Sequence, residues 1–192
     1  MTKEEIDKTL AIFTEAKKNG QFRAFWKTFD ESVNLMASGE VVIQSMWAPA
    51  ITAVKSRGIP CVYQPLKEGY RSWGGGRGIA ASLSGLEKDA AYEYINWYLS
   101  GWTGGFLMRQ GYYSAVPETS KNFMTDNEWG YWFEGKPATG DITSPFGDKL
   151  AVAGETRDGG SFYERMGAVK CWNSVMKENQ YMVRKWNEFI AA

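Results

Sequence analysis

Behind Thr2-Lys-Glu-Glu5, apolar residues recur at Ile6, Leu10 and Phe13. That spacing predicts an amphipathic helix, opened by a capping box and stopped by Asn19-Gly20. Gln21 to Trp26 alternates apolar and polar residues, as a short strand does. Thr28-Phe-Asp-Glu31 is a second capping box, and the helix it opens carries Val33 and Met36 and ends at Gly39. The pattern then loses its helical period. EVVIQSMW (Glu40 to Trp47) and IPCVYQPL (Ile59 to Leu66) are nearly continuous in apolar and β-branched residues, which predicts two buried strands. Between them APAITAVKSRG reads as a helix with Pro49 in its first turn. Residues 2–66 thus alternate helix and strand, the layout of a layered α/β domain.

From Ser84 onward the pattern is mostly helical. Ser84-Gly-Leu-Glu87 caps a helix bearing Ala91, Tyr94, Ile95, Tyr98 and Leu99 and closed by Gly101. A second helix is expected over Thr103 to Gln110, followed by a loop at Gly111-Tyr112-Tyr113. Residues 125–148 are rich in aromatics and turn residues, a composition too ordered for a linker. The stripe Val169, Trp172, Val175, Met176, Val183, Trp186 and Phe189 predicts a long terminal helix over Phe162 to Ile190. Trp97, Trp172 and Trp186 fall on helix faces and are expected in the core.

Composition narrows the chemistry. Charge balances at 22 basic and 22 acidic residues with no basic run, so nothing points to nucleic acid or an anionic membrane. Histidine is absent, which excludes Ser-His-Asp and Cys-His nucleophile systems and His-liganded zinc. Cys61 and Cys171 are too few for a cysteine-rich metal site. One long-range disulfide is open to them, but two unpaired, buried thiols are the favoured reading. No metal or cofactor is expected. MTKEEIDKTL is charged rather than a leader, and Met1 directly before a helix start fits a segment of a longer protein.

The densest unexplained motif is WGGGRG, Trp73 to Gly78. Gly76-Arg-Gly78-Ile-Ala-Ala81 matches the loose dinucleotide fingerprint, but a helix cap at Ser84 places the glycines too early for it. A stacking platform fits better. Trp47 ends a predicted strand, where open α/β sheets put their ligands. Trp73 stands beside glycines that let a ligand approach an indole face, and Tyr112 sits in a glycine-led loop. Glu155, Asp158 and Glu164 surround Arg157-Asp-Gly-Gly, where a solvated loop is the simpler reading. A carbohydrate-active enzyme using Asp158 or Glu164 beside an aromatic cleft is the alternative.

Taken in order, LMASGEVVIQSMW, IPCVYQPLKEGYRSW, DAAYEYINWYL and RQGYYSAVP resemble the second half of type II periplasmic solute-binding proteins, specifically the spermidine/putrescine branch of ABC importers. The resemblance implies an α/β fold of two lobes closing on a solute, with this chain as its C-terminal portion, ending in a long helix. Residues 1–66 would belong to the second lobe, 67–83 would cross between lobes, and 84–192 would complete the first. It implies a periplasmic, non-enzymatic protein that partners a small solute and membrane permease subunits. The absent N-terminal half, or a strand-exchanged second copy, would complete its sheets. Trp47, Trp73 and Tyr112 match aromatics that box the ligand, and Tyr163 falls near a further binding position. Gly75 and Ala50 stand where branch members carry acids. The implied site is therefore an aromatic box without its ammonium-binding carboxylates on this half.

Overall fold

Residues 1–191 are described by a computed structural model, in which short strands are set among helices. The first three helices lie where the capping boxes and the proline place them. They are α1 (Lys3–Lys18), α2 (Phe29–Ala37) and α3 (Ala48–Lys55). Thr2 and Thr28 each accept the N–H of the glutamate three residues on, and that glutamate accepts the threonine N–H in return. The strand β1 (Tyr70–Ser72) precedes α4 (Gly85–Leu99), α5 (Trp102–Met108), α6 (Pro117–Lys121) and α7 (Asp126–Trp129). A single π turn, Gly130–Glu134, continues α7 and ends on Gly135 at φ 70°. After it come β2 (Ile142–Thr143), β3 (Lys149–Ala151), α8 (Phe162–Gly167), β4 (Val169–Trp172) and α9 (Asn179–Ala191).

The chain divides into two units. One joins Met1–Lys27 to the segment from Asn173, and the other is Thr28–Trp172. Lobe boundaries expected at 66 and 84 both fall inside the second. In the first unit α1 packs on α9 through Ile6, Phe13 and Phe189, with Phe22 and Phe25 edge-to-face against Phe189. Lys17 Nζ donates to the carbonyls of Phe189 and Ile190 at 3.0 and 2.9 Å, neutralising the negative end of α9. Gln21–Trp26 is not a strand here; Phe22 and Phe25 spend their side chains on this cluster.

The core of the larger unit is the segment that patterning left undefined. Trp129, Tyr131, Trp132 and Phe133 pack with Met108, Ile142 and Leu150. Trp129 stacks on Phe133 at 4.2 Å and Phe133 on Phe162 at 4.8 Å. A smaller cluster, Val33, Ala50 and Val54, fixes α2 against α3. β1 pairs in parallel with β4, Tyr70 opposite Val169 and Ser72 opposite Trp172. β2 and β3 form a separate antiparallel pair.

Four further expectations change. No strand forms over Glu40–Trp47 or Ile59–Leu66. These stretches are irregular, leaving Val42, Ile43 and Val62 at 87, 88 and 67% exposure. A buried strand needs neighbours on its edges, and none pairs with them among the described residues. The terminal helix is broken. Residues 169–172 are β-branched and aromatic enough to take the free edge of β1, and Gly167 and Asn173-Ser174 are poor helix formers on either side. Trp97 and Trp172 are half exposed, not core. Both cysteines are free, Cys61 half-buried but Cys171 exposed on β4.

Candidate functional site

Three chain turns within the larger unit bring Trp47, Trp73, Gly75 and Tyr112 around one cavity of about 180 Å³. Trp47 is the extended residue that starts α3, and its carbonyl accepts the N–H of Ala50 at 2.9 Å. Trp73 directly follows β1. Tyr112 follows Gly111, which turns the chain off α5 at φ 91°. An alanine at 111 would put its Cβ 2.5 Å from Thr52 Oγ1, so glycine is required both for the turn and for the approach of α3. The rings meet edge to face, Trp47 to Trp73 at 5.9 Å and Trp73 to Tyr112 at 6.1 Å. Each therefore leaves part of a face for a guest. Burial pushes the Tyr112 hydroxyl pKa up.

The glycines of Trp73–Gly78 do something other than turn the chain. None of Gly74, Gly75, Gly76 and Gly78 has a positive φ. A Cβ at 75 would meet only the Trp73 ring, at 3.9 Å. Their contribution is bare backbone beside an indole. Tyr163 is placed elsewhere. It is 72% exposed on α8, edge-on to Phe133 and Phe162, and does not line the cavity.

Sequence reasoning missed the charged part of the site. Arg71, on β1, stacks its guanidinium on Trp47 at 4.5 Å. Arg165, on α8, is buried at 8% exposure with its guanidinium 5.0 Å from Tyr63 and 5.7 Å from Tyr70. Both line the cavity, together with Tyr70 and Tyr113. Arg165 Nη1 donates to the Asp158 carbonyl. Its Nε, and the hydroxyls of Tyr70 and Tyr113, are buried without a partner among the described residues. Burial raises the Tyr70 pKa, with Arg165 opposing. The one signal available in the sequence was Arg71 beside Trp73, which reads equally as a surface position.

A second, smaller cavity of about 30 Å³ shares Arg165 and Tyr63 and adds Lys55, Arg157 and Asp158. Arg157 is buried and donates to the carbonyls of Trp132 at 2.7 Å and Gly111 at 3.1 Å. Burial pulls its pKa down to about 10, with Arg165 adding repulsion. It remains a cation at neutral pH.

The carboxylates considered for acid–base work are otherwise engaged. Asp158 Oδ2 accepts Lys55 Nζ at 2.9 Å and the Tyr63 N–H at 3.0 Å. Glu164 is the return arm of the capping box that opens α8. Bonds from Ser161 hold its pKa below the usual carboxylate range. Glu155 Oε2 accepts the Val152 N–H. Among the described residues no group of three or more Cys, Asp or Glu side chains is placed to hold a metal, and no helix is long and apolar enough to cross a membrane.

Set against protein families, residues 2–103 match the family of bacterial extracellular solute-binding proteins. Comparison with curated proteins and with solved structures finds no match.

Proposed function

The chain belongs to the bacterial extracellular solute-binding protein family, and we propose that its solute binds among Trp47, Trp73 and Tyr112, beside the open backbone of Gly75. The family is the extracellular or periplasmic capture component of ABC-type importers, so the partners are a small solute and membrane permease subunits. In this reading residues 1–66 and 84–192 contribute to two lobes and 67–83 link them. Sheet edges left open are completed by a further part of the protein or by a second copy. No catalytic residue is assigned.

The observation that carries this reading is the convergence of three aromatics, distant in sequence, on one cavity. Its volume suits a small metabolite rather than a drug-sized ligand. The resemblance to the polyamine branch supports the scaffold and not that branch's ligand. Enclosing an ammonium costs several kcal/mol without a countercharge, while a ring face returns only about 0.5–2 kcal/mol. No carboxylate lines this cavity.

Tryptophan fluorescence titrated with a panel of small metabolites tests the proposal. A saturable change without conversion of the solute is expected, and Trp73→Leu should weaken it roughly tenfold or more. Turnover of the solute, or a Trp73→Leu and Trp47→Leu pair that binds as well as the parent, would refute it.

A further inference from the structure

We propose that the captured solute bears an oxyanion, a carboxylate or a phosphonate, held by Arg71 and Arg165; this deepens and rests on the solute-binding reading above. The cavity is lined by two guanidiniums and no carboxylate. Arg71 lies over Trp47 and makes no side-chain hydrogen bond or ion pair among the described residues. A guanidinium lying against an aromatic ring keeps its edge donors, and these match both oxygens of a carboxylate. Arg165 is buried, spends one donor on a backbone carbonyl, and leaves Nε without a partner. The Tyr70 and Tyr113 hydroxyls add two more unspent donors on the same wall.

The surroundings supply one internal counter-ion for four cations. Across the two neighbouring cavities the cations are Lys55, Arg71, Arg157 and Arg165, and the single carboxylate is Asp158. Asp158 is already bonded through Oδ2 to Lys55 and to the Tyr63 N–H. Arg165 acts as a like charge on Arg157, with Asp158 opposing it. A buried guanidinium without a countercharge is costly, and an incoming oxyanion satisfies it. An ammonium would meet two positive groups instead. The flat remainder of the solute then lies against Trp73 and Tyr112, where Gly75 leaves room.

Shape-matched probes separate charge from stacking. The full chain is titrated with benzoate, phenylphosphonate, benzamide, benzylamine and putrescine, followed by tryptophan fluorescence and by thermal shift. Benzoate or phenylphosphonate should bind roughly tenfold or more tighter than benzamide, the gap expected of hydrogen bonds to a charged group. Benzylamine and putrescine should bind weakest. The tighter of the two anions identifies the oxyanion geometry preferred. Arg71→Gln, at an exposed position, should abolish the preference for benzoate over benzamide, and Arg165→Lys should weaken it. Gly75→Asp, on a backbone that accepts a side chain, should shift preference from benzoate toward benzylamine. Equal or tighter binding of benzamide, benzylamine or putrescine overturns the oxyanion assignment, as does an unchanged benzoate affinity in Arg71→Gln. Those outcomes leave solute capture intact. If these probes and a broad metabolite panel all fail to bind, solute capture at this site falls with it.

Discussion

Gly111→Ala is the substitution that most directly links the fold to the cavity. Gly111 adopts φ 91°, a region that charges an L-residue about 1–2 kcal/mol. The new Cβ would also stand 2.5 Å from Thr52 Oγ1 and 3.4 Å from Pro49 Cα. Thr52 is β-branched, and on α3 its χ1 is confined to two wells. Forced overpacking of this kind costs about 1–3 kcal/mol. Together the two effects predict a loss of about 2–5 kcal/mol, on the order of 10 °C in Tm for a chain of this size.

The two contributions separate in a double-mutant cycle. Thr52→Ala removes Oγ1, whose bond to the Ala48 carbonyl is long at 3.5 Å. In the Thr52→Ala background Gly111→Ala should therefore cost only the backbone strain, with a coupling of about 1–3 kcal/mol in the cycle. Urea unfolding followed by tryptophan fluorescence measures all four proteins. A single-mutant loss below about 1 kcal/mol, or a cycle without coupling, would refute the reasoning. The Gly111 carbonyl also accepts Arg157 Nη2 and the next residue is Tyr112. Solute affinity should fall along with stability.

Two further outcomes follow from other parts of the molecule. Burial raises the Glu128 pKa, but bonds from Arg109 at 2.6 and 2.9 Å and from Thr125 outweigh it, leaving the folded value below the unfolded one. Its stability contribution is present above the unfolded carboxylate pKa of about 4.3 and disappears as pH falls through the folded value. Glu128→Gln, which keeps a capping-box side chain, should lower the urea midpoint at pH 7 and flatten its decline between neutral pH and pH 3; parallel curves would contradict this. Val42, Ile43 and Val62 lie exposed on stretches of strand-like sequence, so light scattering should give a mass above 21.6 kDa. Ile43→Lys should reduce it, and a single 21.6 kDa species from the parent chain would sink the idea.

What could be read in advance depended on how local its cause is. The capping boxes at Thr2 and Thr28 and the proline at 49 fix helix starts through bonds made within one turn, and α1, α2 and α3 lie where they point. Thr125-x-x-Glu128 and Ser161-x-x-Glu164 carry the same signal and do open α7 and α8. The first was obscured because aromatics and glycines around it read as loop, while the second stands where the terminal helix was expected to begin. Strand formation at 40–47 and 59–66 is another matter. Their composition records a preference for a sheet, while pairing requires edges that the described residues do not provide. Trp97 shows the limit of helical periodicity, since α4 has an apolar stripe yet buries no residue.

The candidate site divides along the same line. Its aromatics were legible because Trp47, Trp73 and Tyr112 each stand at the end of an element, where a large ring beside small residues has no packing reason to be. Its charge was not legible, because it depends on a pairing between distant segments. β4 joins β1 with Val169 opposite Tyr70. α8 ends just before β4, so that pairing carries Arg165 onto the wall where β1 already holds Arg71. Neither arginine has a local signature: one looks like a surface residue, the other like the middle of a short helix. Only their shared cavity, without a carboxylate on its lining, turns two ordinary cations into a reason for the solute to be an anion.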